Sequence, residues 1–223
     1  MKVDVMEPLY ALSWDLYQKA MDEAAIKVAV DAGANDGGYT YTLVENGFEV
    51  HAFEPVPSEF AKCLEKHRDN PKVRCNNLGL SDKDEVIKNV TVMAAWTIGR
   101  PEDCALNVSP GFRDAPRFDM HTVTLDDYLG DIDIGLIKLD VDGYEPQVLA
   151  GAAKTIARCK PPILCEFSCY INMGRDPGEF VNNIFAMGYS IWSMDGKVER
   201  TTWEQVEPNW PYHSSFDVML LPR

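Results

Sequence analysis

No apolar run in this sequence approaches the roughly 18 to 20 residues that a membrane span requires, so a spanning segment is not expected. The stretch MKVDVMEPLY carries acids where a secretion signal needs an apolar core, and export is not expected either. Basic residues are scarce. Lys and Arg number 21 against 35 Asp and Glu, a formal net charge of −14. No Lys/Arg cluster interrupts that balance, so nucleic acid or an anionic membrane would be repelled on average. The expected partner is a small, neutral or cationic molecule. Cys-x-x-Cys pairs are missing too. Cys63, Cys75, Cys104, Cys159, Cys165 and Cys169 are scattered, which fits free buried thiols in a reducing cytoplasm better than disulfides or zinc. Repeats and low-complexity linkers are absent.

What is present is globular. Hydrophobic residues make up 46% and aromatics 10% of 223 residues, enough for one full core and one domain over 1–223. Oligomeric state is not legible. Residues 7–25 read as an amphipathic helix through Leu9, Leu12, Leu16, Ala20 and Ala24. Lys27 to Ala32 reads as a buried strand, followed by a helix from about Gly38 that Gly47 stops. Residues 48–55 give a second strand. Ser58 reads as the cap of a helix with Phe60, Leu64 and His67 on one side, and 72–78 as a third strand.

Residues 85–93 look like an inserted strand or hairpin arm. The stretch 94–119 is a long irregular loop with Pro101, Pro110 and Pro116. A short capped helix (124–129) precedes the most apolar strand, 134–140. Pro146 opens a helix whose buried stripe is Val148, Leu149, Ala152 and Ile156. A strand at 162–167 and a helix capped by Asp176, with Pro177 and Glu179 in its first turn, follow. Strands at 189–194 and 215–221 flank a second long loop, 195–214. Alternating strands and helices predict an α/β sheet with helices on both faces.

The stretch Val28 to Thr40, VAVDAGANDGGYT, carries the main functional signal. A glycine-rich strand-to-helix turn lets a ligand approach the backbone. A dinucleotide turn wants G-x-G-x-x-G, yet Asn35 stands where the second glycine would be. Asp31 and Asp36 flank the turn, and carboxylates beside a pyrophosphate repel it. NAD(P) is therefore disfavoured. S-adenosylmethionine (SAM) suits the site better, since it carries a sulfonium, an ammonium and no phosphate. Glu54, at the end of the second strand and 21 residues after Gly33, can accept ribose hydroxyls. It fits an adenosine ligand of either kind.

These residues make the chain resemble the FkbM-type family of SAM-dependent methyltransferases. The matching motifs are DAGANDGGYT, then AFEP at 52–55, GLSD at 79–82, TLDD at 124–127, IKLDVDGYEPQVLAGA at 137–152, and the strand ILCEF. They span about 28–170. One departure is Asp142, where the family more often has glutamate. The resemblance implies a class I methyltransferase (Rossmann-like) fold, a seven-stranded, mostly parallel sheet with a reversed last strand. It implies that Asp31, Gly33, Asn35 and Gly37 line the methionine end and that Glu54 holds the ribose. Asn77 and Ser81 would sit near the adenine, and Asp140 beside the sulfonium. Ala34, Thr40 and Pro55, inside the same motifs, are counted with the cofactor residues.

Asp31, Glu54, Asp140 and Glu166 all fall at carboxyl ends of strands, where open α/β sheets bind ligands. Sulfonium is a good leaving group, so holding the acceptor in line supplies much of the catalysis. An alcohol acceptor also gains from a base, and Asp140, Glu166 and His213 are the candidates. His121 is weaker, and His51 and His67 read as packing residues. Magnesium or calcium at Asp140, Asp142 and Glu145 is allowed by the oxygen ligands but not favoured, because the calcium-loop spacing fails. Trp96, Phe112, Phe118, Trp203, Trp210 and Tyr212 either wall an acceptor pocket or pin the long loops. The expected activity is SAM-dependent O-methylation of a hydroxyl on a small metabolite. N-methylation and a non-catalytic SAM- or nucleoside-binding module are the alternatives, and the number of acids favours an enzyme.

Overall fold

Short apolar runs punctuated by glycine alternate between strand and helix. In the computed structural model, which describes residues 8–92, 98–99, 117–168 and 176–223, they assemble into two sheets. The first half comprises α1 (Asp15–Glu23), β1 (Val28–Ala32), α2 (Gly38–Glu45), β2 (Glu49–Phe53), α3 (Pro57–His67), β3 (Val73–Asn76), β4 (Gly79–Leu80), β5 (Glu85–Val92) and β6 (Ile98–Gly99). The second comprises β7 (Arg117–Val123), α4 (Leu125–Leu129), β8 (Leu136–Leu139), α5 (Glu145–Gly151), α6 (Ala153–Cys159), β9 (Ile163–Ser168), α7 (Pro177–Ala186), β10 (Tyr189–Trp192), β11 (Glu199–Arg200), α8 (Trp203–Val206) and β12 (Ser215–Pro222).

The main sheet has eight strands in the order β11-β10-β12-β9-β8-β1-β2-β3. Strands β3, β2, β1, β8 and β9 pair in parallel, and β12 runs antiparallel between β9 and β10. This is the seven-stranded pattern with a reversed last strand, extended at one edge by the two residues of β11. The smaller sheet, β4-β7-β5-β6, grows from the insertion after β3.

Strand alternation sends side chains to two cores. Val30, Ile137, Leu139 and Ile163 pack with Leu125 of α4, Val148 of α5, Ile156 of α6 and Ile184 of α7. Ala29, Val50, Leu136, Leu164 and Met219 pack with Met21 of α1, Leu43 of α2 and Cys63 of α3. Each fully buried Leu or Ile contributes about 1.5 to 3 kcal/mol against the entropy of ordering it. Among the described residues no helix is long and apolar enough to cross a membrane.

Several local expectations hold. Thr124 accepts the Asp127 amide at 3.1 Å and caps α4, Asp176 accepts the Gly178 amide at 2.8 Å and caps α7, and Gly47 takes φ +89° after α2. Others are corrected. Helix α1 begins at Asp15, not residue 7, because Ser13 Oγ accepts the Asp15 amide at 3.2 Å and forms a turn there. Leu9 is buried, but Leu12 is 83% exposed, so the leucine spacing upstream of Asp15 was not helical.

In α3, Pro57 takes the first position and Ser58 lies inside the helix. Its buried face is Glu59, Cys63 and His67, while Leu64 is 45% exposed. The helix after Pro146 breaks at Ala152, where Gly151 presses on β4: a Cβ there would lie 2.0 Å from the Ser81 carbonyl oxygen. The inserted strand β5 does form, antiparallel to both β6 and β7, and the alternation of Phe118, Met120 and Thr122 in β7 went unread. Residues 195–214 are not all loop, since they contain β11, α8 and a 3-10 turn at Glu207–Asn209.

Candidate active site

The turn after β1 is built on close approaches. Gly33 has φ +79°, and a Cβ on it would lie 1.8 Å from the Asp140 carbonyl oxygen. Only glycine lets β1 and β8 finish this close together. The amides of Gly33 and Ala34 donate to the Phe53 carbonyl at 3.0 and 2.9 Å, tying the turn to the end of β2. Asn35 sits at φ +50°, and its amide donates to Glu54 Oε2 at 2.8 Å. The Val56 amide donates to Glu54 Oε1 at 2.7 Å. Burial pushes the Glu54 carboxyl up, and these two amide bonds pull against it. Gly37 has φ +83° and packs against His67, whose Nε2 lies 3.0 Å from the Gly37 carbonyl oxygen. A carbonyl only accepts, so His67 carries its proton on Nε2.

Beyond the turn, one face of the sheet carries a row of ionisable groups. Register pairs Asp31 with Lys138 and Asp217 with Glu166, and strand alternation puts Asp140 on the same face as Lys138. Asp31 is fully buried and takes the Thr40 hydroxyl on Oδ2 at 2.6 Å. Lys138 Nζ lies 3.5 Å from Asp31 Oδ1 and 3.4 Å from Asp140 Oδ2. It also donates to the Gly33 carbonyl at 2.6 Å and sits 5.1 Å from the Tyr39 ring centroid. Burial alone would lower the Lys138 ammonium, but Asp31 and Asp140 hold it above the ordinary lysine range.

The neighbouring acids shift the other way. Burial, with the Asp140 charge behind it, raises Asp142 to about 6, Glu166 to about 8 and Asp217 to about 6. Burial raises Glu145 to about 7, against the pull of the Val141 amide on its carboxylate. Glu145 Oε2 and Glu166 Oε2 are buried without a hydrogen-bond partner among the described residues.

A cavity of about 560 Å³ joins these parts. Of the sequence-predicted residues, Gly33, Ala34, Asn35, Glu54, Pro55, Asp140 and Glu166 line it. Five cofactor candidates do not. Asp31 and Thr40 lie beneath it, and Gly37 is turned toward His67. Asn77 instead donates to the Glu54 and Pro55 carbonyls at 2.9 and 3.1 Å. Ser81 is buried against Gly151, with its hydroxyl on Asp82 at 3.1 Å.

His213 is exposed and lines a different cavity, beside Tyr10 and Trp210. His51, as read, is a packing residue against Tyr128 at 3.2 Å. Trp203 and Trp210 meet edge to face with ring centroids 5.8 Å apart, and Trp210 meets Phe167 at 5.1 Å, so they pin the chain before β12. Trp96 and Phe112 lie outside the described residues. The residues that sequence reading missed are Lys138, Tyr39 and Asp217. The signal for two of them was a charge inside an otherwise apolar strand.

Asp140, Asp142 and Glu166 offer oxygens within 4.8 Å of one another. They do not make a favoured metal site. The Lys138 ammonium already sits beside Asp140, and the Glu166 carboxyl, raised to about 8, is largely protonated near pH 7.

The sequence model of the methyltransferase FkbM domain matches residues 31–191, from the acid of β1 through β10. The chain belongs to the FkbM methyltransferase family. Among solved structures, the methyltransferase FkbM of Methylobacillus flagellatus KT shares the fold at a TM-score of 0.54 and 18% identity, over 88% of this chain and 43% of its own. This chain thus spans less than half the length of that FkbM protein. A putative S-adenosylmethionine dependent methyltransferase of Listeria monocytogenes aligns at a TM-score of 0.49 and 8% identity, over 94% of this chain and 97% of its own. No curated protein matches.

The fold is therefore the class I, Rossmann-like one, and the cofactor of this FkbM domain is SAM. The cavity fits that group. The residues supply a close backbone approach at Gly33, an acid at the end of β2, and unpaired carboxylate oxygen at the far wall. Glu54 sets the first test. A glutamine there would put an amide NH₂ against one of two backbone donors, so Glu54→Gln is expected to weaken SAM binding about 10- to 100-fold by calorimetry. An unchanged affinity would remove Glu54 from the site.

Proposed function

We propose that this chain transfers the methyl group of SAM to a hydroxyl oxygen of a small metabolite, a sugar or natural-product intermediate. The observation that carries this reading is that one cavity contains both the glycine turn with Glu54 and the acids Asp140 and Glu166. A carboxylate has about four lone-pair sites, so Glu54 keeps two for ribose hydroxyls after accepting two amides. Gly33, Ala34 and Asn35 border the ligand. Asp31, Thr40 and Gly37 act behind them, through Lys138 and His67, and Asn77 fixes the carbonyls around Glu54.

When bound, SAM supplies an electrophilic methyl group on a positively charged sulfur. The protein holds the acceptor oxygen in line with it and receives the hydroxyl proton on Glu166, with Asp140 as the neighbouring charge. His213 stands in a separate cavity and is not part of this step. The free thiols of Cys63, Cys75, Cys159 and Cys165 support a reducing, cytoplasmic setting. The last strand closes inside the sheet that β1 begins, which supports reading 1–223 as one methyltransferase domain.

Calorimetry with SAM and with NAD tests the cofactor, and SAM alone is expected to bind. Binding of SAM only in the millimolar range, or preference for NAD, would sink the reading. A methyl-transfer screen over alcohols and amines then tests the acceptor atom. Turnover confined to amines would replace oxygen with nitrogen.

A further inference from the structure

Among the described residues the carboxylates at the far wall of the cavity outnumber the cations there. Glu166 faces Asp217 directly across the β9–β12 pair, where Cβ atoms stand about 4.5 to 5.5 Å apart and like charges oppose each other. The other groups around Glu166 are Ser215 on β12, Asp140 and Asp142 just after β8, Glu145 at the start of α5, and Tyr39 on α2. Cys165 is its neighbour on β9. Among the described residues the nearby ammonium is that of Lys138, already held between Asp31 and Asp140. Glu166 Oε2 has no hydrogen-bond partner among the described residues, and neither has Oε2 of the fully buried Glu145. Such a wall cannot stay fully ionised without a cation.

We propose that Glu166, with Asp217 opposite it, is a proton reservoir governed by the cofactor's charge. It releases a proton when the sulfonium arrives and takes the acceptor's hydroxyl proton when the methyl group leaves. This rests on the reading that the cavity holds SAM. The step balances. The S–CH₃ bond breaks, the O–CH₃ bond forms, and the proton goes to the Glu166 carboxylate. A sulfonium and a carboxylate become a neutral thioether and a neutral acid, which a low-dielectric cavity favours. The acid then loses its proton to solvent when the next sulfonium enters. The raised carboxyl of Glu166 gives the free protein the proton to release, with Asp217 opposite it as the ionised neighbour.

No acceptor is needed to test this. Calorimetry in buffers of different ionisation enthalpy counts protons exchanged on binding SAM and its neutral product S-adenosylhomocysteine. Near pH 7.5, SAM is expected to release about half a proton more than the product, because an adjacent cation favours the charged carboxylate. The difference is expected to fade by pH 9.5, where the free protein has already lost the proton. Glu166→Gln is expected to remove most of it, and Asp217→Asn to move its maximum to lower pH. Equal proton counts for the two ligands from pH 6.5 to 9.5 would overturn the proposal while leaving the cofactor assignment intact. So would a full difference in Glu166→Gln, and an unmoved maximum in Asp217→Asn would overturn the part given to Asp217. Failure of SAM to bind would overturn the proposed function itself and this inference with it.

Discussion

Replacing Lys138 with methionine is expected to lower the unfolding free energy by about 3 to 5 kcal/mol. The ammonium is buried in the second strand position from Asp140 and directly beside Asp31. Removing it leaves Asp31, which has no solvent, with one carboxylate oxygen unpaired. It also removes the donor to the Gly33 carbonyl at 2.6 Å, so the turn loses its anchor to β8. Methionine nearly conserves the volume, which separates the charge effect from a cavity effect. The double variant Asp31→Asn with Lys138→Met is expected to recover part of the loss, since it no longer buries a lone charge. Urea unfolding at constant slope reads both numbers. A single-variant cost below about 1 kcal/mol would mean that Lys138 is not what neutralises the row.

The sign of the pH dependence follows from the raised Lys138 ammonium. Its folded-state pKa lies above the unfolded value, so its stabilisation is fully present below the ordinary lysine range and fades only above it. Unfolding measured at pH 7 therefore captures the whole effect of the substitution.

Residues that line the cavity were more legible in the sequence than those that support it, for a physical reason. Turns and strand ends are local. The order Gly33, Asn35, Gly37 needs only the backbone angles of its own residues, and Glu54 needs only the end of its strand. Gly33, Asn35 and Glu54 line the cavity, whereas Gly37 contacts His67 instead. What a side chain faces across a sheet is not local. Asp31 read as a group that meets the ligand, yet register sets it against Lys138, beneath the cavity.

The phase was nevertheless on the page. Lys138 and Asp140 share a face with Leu136, and Asp217 shares one with Met219, so a charge every second residue marked where an apolar strand turns polar at its end. Helix faces failed where spacing alone was used. Leu12 and Leu64 match the 3.6 period but point to solvent, because the buried stripe follows what the sheet offers, here Cys63 and His67. The strand β7 was missed because its antiparallel partner β5 ends at Val92, too far back in the sequence for a turn signal.

Replacing Glu166 with glutamine is expected to lower the methyl-transfer rate about 100- to 10,000-fold. Glutamine keeps the shape and can still donate to a neighbour, but it cannot take the hydroxyl proton. In the free protein the Glu166 carboxyl is pushed up to about 8 by burial and by Asp140, so near pH 7 it is largely protonated and glutamine resembles it. SAM affinity in the variant is therefore expected to stay close to wild type below pH 7. Above pH 8 it is expected to fall behind, because only the wild type then offers a full carboxylate to the sulfonium.

The rate profiles should separate in the same direction. The wild-type rate rises with pH through the carboxyl's value in the complex, which the sulfonium holds below that of the free protein, and the glutamine variant has no such rise. Asp140→Asn removes the charge that raises Glu166, so it is expected to shift the rise to lower pH rather than abolish it. A variant at 166 that keeps both the rate and the pH rise, beside an Asp140→Asn that loses them, would move the base from Glu166 to Asp140. The two carboxylates line the same cavity, and only the direction of that shift tells them apart.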